Sequence, residues 1–496
     1  MMPTQSKPDE SPQTVPRSQG SRLFRWIDRR TGLNKLLHEA LDEPIPGGAR
    51  YAYIFGSGLL FIFLSQFITG IFLALYYVPS ADHAHVTVAY ITKMVAAGAF
   101  LRSLHVYGAS AMVIIVILHL TQTFMYGSYK GRRELLWVSG TILFTLVMGM
   151  AFTGYLLPWD QKSYFATAVG TSVASEFPLV GGFVERLMRG GTQIGTLTLS
   201  RFYVMHVFYI PATIFLFVAI HIYLFRKAGA AGPVSESPVK PRQKTESFYP
   251  RQLVMDLGFA LLLVVALGFA AYFDPASLGP LANPADTHYL PRPEWYFRPL
   301  FEWLKIWQGK AEFIRIVIIP AMIVLLFVGL PFIDRRLERK PWRRPVAVGT
   351  VSLVFIALIS LGDYSYYQDS SDKDIAAQLA QQHHMEVQFM EQPFKPQMVG
   401  KAKPAPTATP SAAAGPLVAE GKKIFNSHGC YACHGQGGVG TSFAPKLIGF
   451  GKKFSTDQMV NLFKNPLPQM NAGGMPHFTF TPDQVKALRA YLDSLQ

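Results

Sequence analysis

The sequence predicts an all-α membrane protein that crosses the bilayer about seven times and ends in a small helical domain. Three observations point there. Half of the 496 residues are hydrophobic, only 16% are charged, and the mean hydropathy is +0.21, whereas a soluble chain carries roughly a quarter charged residues. Apolar stretches of the length that crosses a hydrocarbon layer, about 20 residues, recur seven times. After the last of them a polar segment rich in Ala, Pro, Lys and Thr precedes a helix-prone C-terminal stretch. The apolar content excludes disorder for most of the chain, and the lack of a short period excludes collagen-like and repeat architectures.

The elements follow in order. Residues 1–20 are polar and rich in Pro, Ser and Gln, with no secretory signal visible. Residues 22–43 alternate basic and apolar positions at helical spacing, which predicts an amphipathic helix on the membrane surface and completes an N-terminal segment 1–50. Spans at 52–78, 100–126, 135–157 and 203–225 make a four-helix domain over 51–230. Spans at 253–273, 313–333 and 345–362, the last the shortest, make a three-helix unit over 231–363. Residues 364–415 have the composition of a linker rather than a fold, and 416–496 form the small soluble domain.

A net charge of +15 suits nucleic acid or anionic lipid at first sight. Its distribution decides otherwise. Basic residues cluster in the N-terminal segment, at Lys130, Arg132 and Arg133, over 226–251, and at Arg335, Arg336, Arg339, Lys340, Arg343 and Arg344. With seven spans these loops share one side, and the loops 79–99 and 158–202 are sparser in charge. The positive-inside rule puts the N-terminus and basic loops in the cytoplasm, and an odd number of spans delivers the tail to the outer face. Nucleic acid drops out as a partner, and lipid remains.

Two spans carry paired histidines, His105 with His119 and His206 with His221, separated by 14 and 15 residues. On an α-helix 14 steps return to within about 40° of one face and 15 to within about 60°, and either pair lies ~21–22 Å apart along its axis. Two such helices side by side create two bis-histidine sites, one near each membrane face. That arrangement suits two b-type haems stacked across the bilayer. Gly56 and Gly70 on the first span, and Gly140 and Gly154 on the third, repeat the 14-residue spacing, and a glycine lets a flat macrocycle approach the backbone. Helix packing alone explains single glycines or histidines, but not four matched pairs.

The only cysteines, Cys430 and Cys433, stand in CYACH with His434. This CxxCH pattern attaches a c-type haem through two thioethers, with the histidine as axial ligand. Zinc would need further cysteines or well-spaced histidines. The sixth ligand falls to Met475 in GGMPHF, whose Met-Pro context resembles small class I cytochromes c; Met470 and His477 are the rivals.

These motifs together resemble the cytochrome bc/b6f superfamily. Residues 22–230 are similar to its cytochrome b6 subunit through LRSLH (101–105), RRELLWVSG (132–140), GYLLPWDQ (154–161) and RFYVMH (201–206). Residues 249–362 are similar to its subunit IV through NPADTHYLPRPEWYF (283–297) and RRPVA (343–347). The chain therefore looks like three pieces, often separate, fused into one. The resemblance implies a multi-pass subunit of a quinol:cytochrome c oxidoreductase in a prokaryotic inner membrane, with the cytochrome c domain on the periplasmic side. It implies that quinol docks between the PEWY segment and the end of the third span. One electron would pass to a Rieske iron–sulfur partner, for which this chain has no cysteines to spare. The other would cross by the outer pair (His105, His206) and inner pair (His119, His221), coupled to proton translocation, in a homodimeric complex. The quinone of such a fusion is a menaquinone candidate, and a downstream cytochrome c or other acceptor takes electrons from the tail.

Within that resemblance Glu294 is the candidate proton acceptor, with Tyr296 and Tyr155 lining its pocket. Arg102 is the candidate partner of a haem propionate. A structural salt bridge is the competing reading of Glu294, and an arginine reaching to lipid headgroups that of Arg102. Asp256, Arg226 and Lys227 are candidate contacts at the inner quinone site. Two positions depart from the family pattern. Ile62 stands nearest the cysteine that anchors an extra haem in the plastid type, and Gln122 replaces a usual arginine after the inner histidine. The alternative function is a diheme membrane conduit with a tethered cytochrome c that does not bifurcate electrons.

Overall fold

The computed structural model describes residues 21–495, apart from 235–244, 285, 287–288, 307–312, 397–414, 429, 431–433, 435–437, 439–445 and 467–477. Ser21 starts α1 (Arg22–Thr31) by accepting the N–H of Phe24 at 3.2 Å. Gly32, at φ +65°, then separates it from α2 (Leu33–Leu41). The single amphipathic helix expected over 22–43 is thus two, because only glycine adopts this left-handed turn cheaply. On α1, Leu23 and Trp26 stay exposed beside the arginines, as a surface-lying helix requires. Strand β1 (Pro44–Pro46) pairs antiparallel with β2 (Thr245–Ser247), Ile45 opposite Glu246, and ties this segment to a later span.

Seven helices among the described residues have the length and apolarity to cross a membrane: Tyr51–Ala74, Gly98–Met125, Glu134–Tyr155, Thr196–Ala228, Arg251–Phe273, Ile314–Ile333 and Pro345–Ser371. Most of the first is α3 (Ile54–Ala74). A short α4 (Ala84–Lys93) leads into α5 (Gly98–Met125), and α6 (Glu134–Tyr155) returns. Two helices outside the spans, α7 (Gln161–Ser175) and α8 (Gly181–Arg189), precede α9 (Thr196–Val204). A π-helical turn, Met205–Tyr209, joins α9 to α10 (Ile210–Ala228) in one continuous span. Then come α11 (Arg251–Phe273), the short α12 (Arg298–Trp303), α13 (Ile319–Ile333) behind a second π turn, and α14 (Pro345–Ser371).

The bundle core gathers Ile62, Phe63, Met112, Ile115, Ile210 and Ile214 from α3, α5 and α10. Met112 lies midway between His105 and His119, so this apolar plug separates the two histidine levels. At the His119/His221 end the basic loops come together as the charge pattern predicts. Lys130 pairs with Asp334 at 2.7 Å, Arg344 donates to the Tyr129 hydroxyl at 2.9 Å, and Arg339 donates to the Gly232 carbonyl at 2.6 Å.

The linker expected over 364–415 is corrected in its first half. Helix α14 runs on to Ser371, 27 residues in all, and α15 (Lys373–Glu391) follows, capped by Asp372, which accepts the N–H groups of Asp374 and Ile375. These turns are largely polar, so hydropathy does not register them; they are held by charge and backbone contacts and by Phe389 and Met390 packing on Val88, Ala89 and Leu278. The Ala/Pro-rich half of the linker, 397–414, lies outside the described residues. The C-terminal unit packs α16 (Pro416–Ser427), α17 (Thr456–Lys464) and α18 (Pro482–Ser494) around Phe425, Met459, Leu488 and Tyr491.

Candidate haem centres and the PEWY segment

Each of the four predicted glycines faces one of the four predicted histidines. A Cβ added at Gly56 would meet His119 Cε1 at 3.7 Å, at Gly70 His105 Cε1 at 3.3 Å, at Gly140 His221 Cε1 at 3.3 Å, and at Gly154 His206 Cε1 at 2.5 Å. A side chain would clash at Gly154 and crowd the ring at Gly70 and Gly140, whereas at Gly56 it would make an ordinary contact, because each imidazole lies against the neighbouring helix. Across the bundle the His105 and His206 rings stand with centroids 6.1 Å apart at 77°, leaving room for a metal with imidazole nitrogens about 2 Å away on each side. His119 and His221 are near enough to interact electrostatically.

The ring protons can be assigned by donor bookkeeping. His206 Nδ1 lies 3.1 Å from the Met150 carbonyl, which can only accept. Thr69 gives its hydroxyl hydrogen to backbone carbonyls of its own helix, and so accepts from His105 Nδ1 at 3.0 Å. Ser139 likewise donates to Leu136 and accepts from His221 Nδ1 at 2.8 Å. In all three rings Nδ1 carries the hydrogen and Nε2 is left as the ligand nitrogen, the arrangement that orients metal-binding histidines. The residues fit two bis-histidine haems. Sequence reading missed the hydroxyls, although Thr69, Ser139 and Thr153 each directly precede a facing glycine.

The 15-residue separation of His206 and His221 is reconciled with 14 on the partner helix by the π turn at Met205–Tyr209. A π-bulge accommodates one extra residue within an α-helix. The two histidines therefore return to one face as if 14 apart.

Glu294 and Tyr155 meet at the His105/His206 end. The Tyr155 hydroxyl donates to the Arg292 carbonyl at 3.4 Å, and Lys162 at the start of α7 donates to Glu294 Oε1 at 2.7 Å. The ion pair is about one-third exposed on each side. Burial alone would lower the Lys162 pKa, but Glu294, Asp160 and Glu386 more than offset it and the net shift is upward. Tyr296 stacks edge-on with Trp295 and Phe297, and burial, then the Glu294 charge, push its phenol up. Lys162 directly follows the PWDQ motif but was not singled out from the sequence.

Arg102 is buried, at 6% exposure, which excludes a side chain snorkelling to headgroups. Its Nη2 donates to the carbonyls of Ala276 and Ser277, and its Nε has no partner among the described residues. At the other end Asp256 accepts from Gln252 at 2.8 Å, and Arg226 donates to the Glu39 carbonyl and pairs with Glu43 at 3.4 Å. The Lys227 ammonium lies 5.8 Å from the Tyr223 ring. Ile62 is fully buried in the apolar plug. In the C-terminal unit Cys430 packs against the core, whereas Cys433, Met470, Met475 and His477 lie outside the described residues.

Three family models match the chain: Cytochrome b/b6/petB over 40–229, Cytochrome b(C-terminal)/b6/petD over 281–383, and Cytochrome c over 418–496. The "Cytochrome bc complex cytochrome b subunit" of Chlorobaculum thiosulfatiphilum is 31% identical over 377 residues, 74% of this chain and 86% of that one. The chain belongs to the cytochrome b family of bc complexes. The "Menaquinol:cytochrome c reductase cytochrome b subunit" of Bacillus subtilis (strain 168) is 37% identical over 222 residues, 43% of this chain and 99% of its own length. Among solved structures, a "Hyperthermophilic respiratory Complex III" matches with a TM-score of 0.63 at 26% identity, covering 74% of this chain and 96% of that one. As a fused cytochrome b/c chain, this is a subunit of a bc-type quinol:cytochrome c reductase complex and an integral membrane protein. Both cytochrome families carry haem. The second family model also reaches Lys373 and the first half of α15, in keeping with the folded state of that segment.

Proposed function

We propose that this subunit oxidises quinol at the His105/His206 end and sends its two electrons along separate routes, one to a Rieske iron–sulfur partner and one across the membrane. The observation that carries this reading is the meeting of Glu294, Tyr296 and Tyr155 at the end of the bundle where His105 faces His206. Glu294 accepts the quinol hydroxyl proton as general base, and Lys162 supplies the neighbouring positive charge. Tyr155 holds the backbone of the PEWY segment through the Arg292 carbonyl.

His105 with His206 and His119 with His221 hold two b-type haems, and Gly56, Gly70, Gly140 and Gly154 keep their approach clear. Cys430 and Cys433 would attach one c-type haem, and His434 and Met475 are the candidates to hold its iron. Bound haem supplies one-electron transfer at these three sites. Arg102, whose Nε–H meets no acceptor among the described residues, is the candidate for a haem carboxylate. Asp256 is the candidate proton group of the inner quinone site. The basic end faces the cytoplasm of a prokaryotic cell and the c-type domain the periplasm, so oxidation releases protons outside and quinone reduction takes them up inside. The relatives' name makes menaquinol the quinol to assay first, with the complex a homodimer passing electrons from the tail to a cytochrome c or another acceptor.

Glu294→Gln in the purified complex is expected to slow quinol oxidation about a hundredfold or more, the range of a lost general base. The reduced-minus-oxidised haem spectrum should remain intact. An unchanged rate sinks the assignment, and loss of the b-haem bands would make Glu294 a structural residue.

A further inference from the structure

Two arginines flank the PEWY segment, Arg292 two residues before Glu294 and Arg298 four residues after it. Both end on one carboxylate. Arg292 donates Nε and Nη2 to Asp369 Oδ1, each at 2.7 Å, and Arg298 donates Nη1 to Asp369 Oδ2 at 2.8 Å. The three side chains are only 11–14% exposed. The Arg298 guanidinium also lies 3.9 Å from the Tyr366 ring centre, and Pro299 packs on Gly362. Gly362, Tyr366 and Asp369 share one helical face of α14. From α15, Gln382 takes both backbone groups of Leu290, accepting its N–H at 3.0 Å and donating to its carbonyl at 3.2 Å. The chain from Leu290 to Pro299 is thus gripped on both sides of Glu294, while Glu294 itself reaches to Lys162 on α7.

Two cations on one anion leave a net positive charge in a nearly closed site, an arrangement that is weak evidence for stability. What it does supply is geometry, because a guanidinium fork meets a carboxylate in few orientations. We propose that Asp369 is a positioning residue for quinol oxidation: by clamping Arg292 and Arg298 it fixes the backbone that presents Glu294 to the quinol. The last turns of the seventh span and the helix α15 that follows are on this view part of the oxidation site. The proposal rests on Glu294 being the proton acceptor.

The test compares Asp369→Asn in the otherwise unaltered complex and in the Glu294→Gln background, with kcat and KM for a soluble menaquinol analogue. A displaced base lowers kcat, and Asp369→Asn is expected to do so by about tenfold, within the range that ångström-scale misplacement costs. KM should stay within about twofold, because the quinol's ground-state contacts are untouched. In the Glu294→Gln background the same change should reduce the residual rate less than about twofold, since a group acting through Glu294 has nothing left to position. Equal losses in both backgrounds would make Asp369 merely structural and overturn the proposal. If Glu294→Gln alone keeps the full rate, it is the Glu294 assignment that fails. Should Asp369→Asn not assemble, Arg298→Lys, which keeps the charge and loses the fork, carries the same comparison with the same two outcomes.

Discussion

At the residue scale, the dipeptides that face the histidines work as units. In Thr69–Gly70 and Ser139–Gly140 the glycine makes room for the imidazole and the hydroxyl before it takes the ring hydrogen. At Gly154 the Met150 carbonyl shares that task with Thr153, at 3.1 and 3.3 Å from His206 Nδ1. The fourth unit, Phe55–Gly56, offers no side-chain oxygen to His119. The space around the glycines is graded, which gives a graded prediction. Gly154→Ala, whose Cβ would lie 2.5 Å from the His206 ring, should lose the b haem of that pair. Gly70→Ala and Gly140→Ala, at 3.3 Å, should weaken haem retention, and Gly56→Ala, at 3.7 Å, should keep it. A pyridine haemochrome titration of the four purified variants checks the order; haem loss from Gly56→Ala with retention in Gly154→Ala would refute it.

At the element scale, the fourth span shows how a helix absorbs an irregular spacing. The π turn at Met205–Tyr209 holds the extra residue between His206 and His221. Removing Val207 should let the turn relax to α-helix and leave the histidines 14 apart on one face, with both b-haem bands present. Inserting an alanine after Val218 in the regular part of α10 instead turns His221 about 100° from its present facing, and should cost one b-haem band. Equal spectra from the two variants would show that the π turn does not set the facing. Helices α14 and α15 teach a second lesson at this scale. Their outer turns are largely polar, and their order comes from Asp369, Gln382 and the Asp372 cap together with Phe389 and Met390, which pack on Val88, Ala89 and Leu278.

At the scale of the whole molecule, the cytochrome b6-like and subunit IV-like parts are joined at the basic end by a buried charge cluster. Asp334 accepts from Lys130 at 2.7 Å and from Tyr129 at 2.6 Å, and lies 3.5 Å from Arg344; the two cations are 4% and 3% exposed. Asp334→Ala leaves both cations buried without it, and should destabilise the assembled bundle by about 3 kcal/mol, read as a lower unfolding midpoint in detergent. Burial alone would raise the Asp334 pKa, but Lys130, Tyr129 and Arg344 more than offset it and hold it below 3.8. The contribution is therefore complete above the ordinary carboxylate value and is lost as pH falls through the depressed one. A midpoint that is the same in the native protein and the variant at neutral pH would refute the role.

The sequence by itself determined the seven spans, the two histidine levels with their glycines, the CxxCH motif and the end at which basic loops gather. Each of these is a one-dimensional signal, because helix pitch and rise are fixed and turn spacing into facing. Only the tertiary structure decided that Lys162 pairs with Glu294 across 132 residues, that Asp369 grips both flanks of PEWY, and that spacings of 14 and 15 are equivalent. It also decided that 364–391 is folded. Such contacts join charged or polar groups brought together by chain crossings, which leave no periodicity and no change in hydropathy along the sequence.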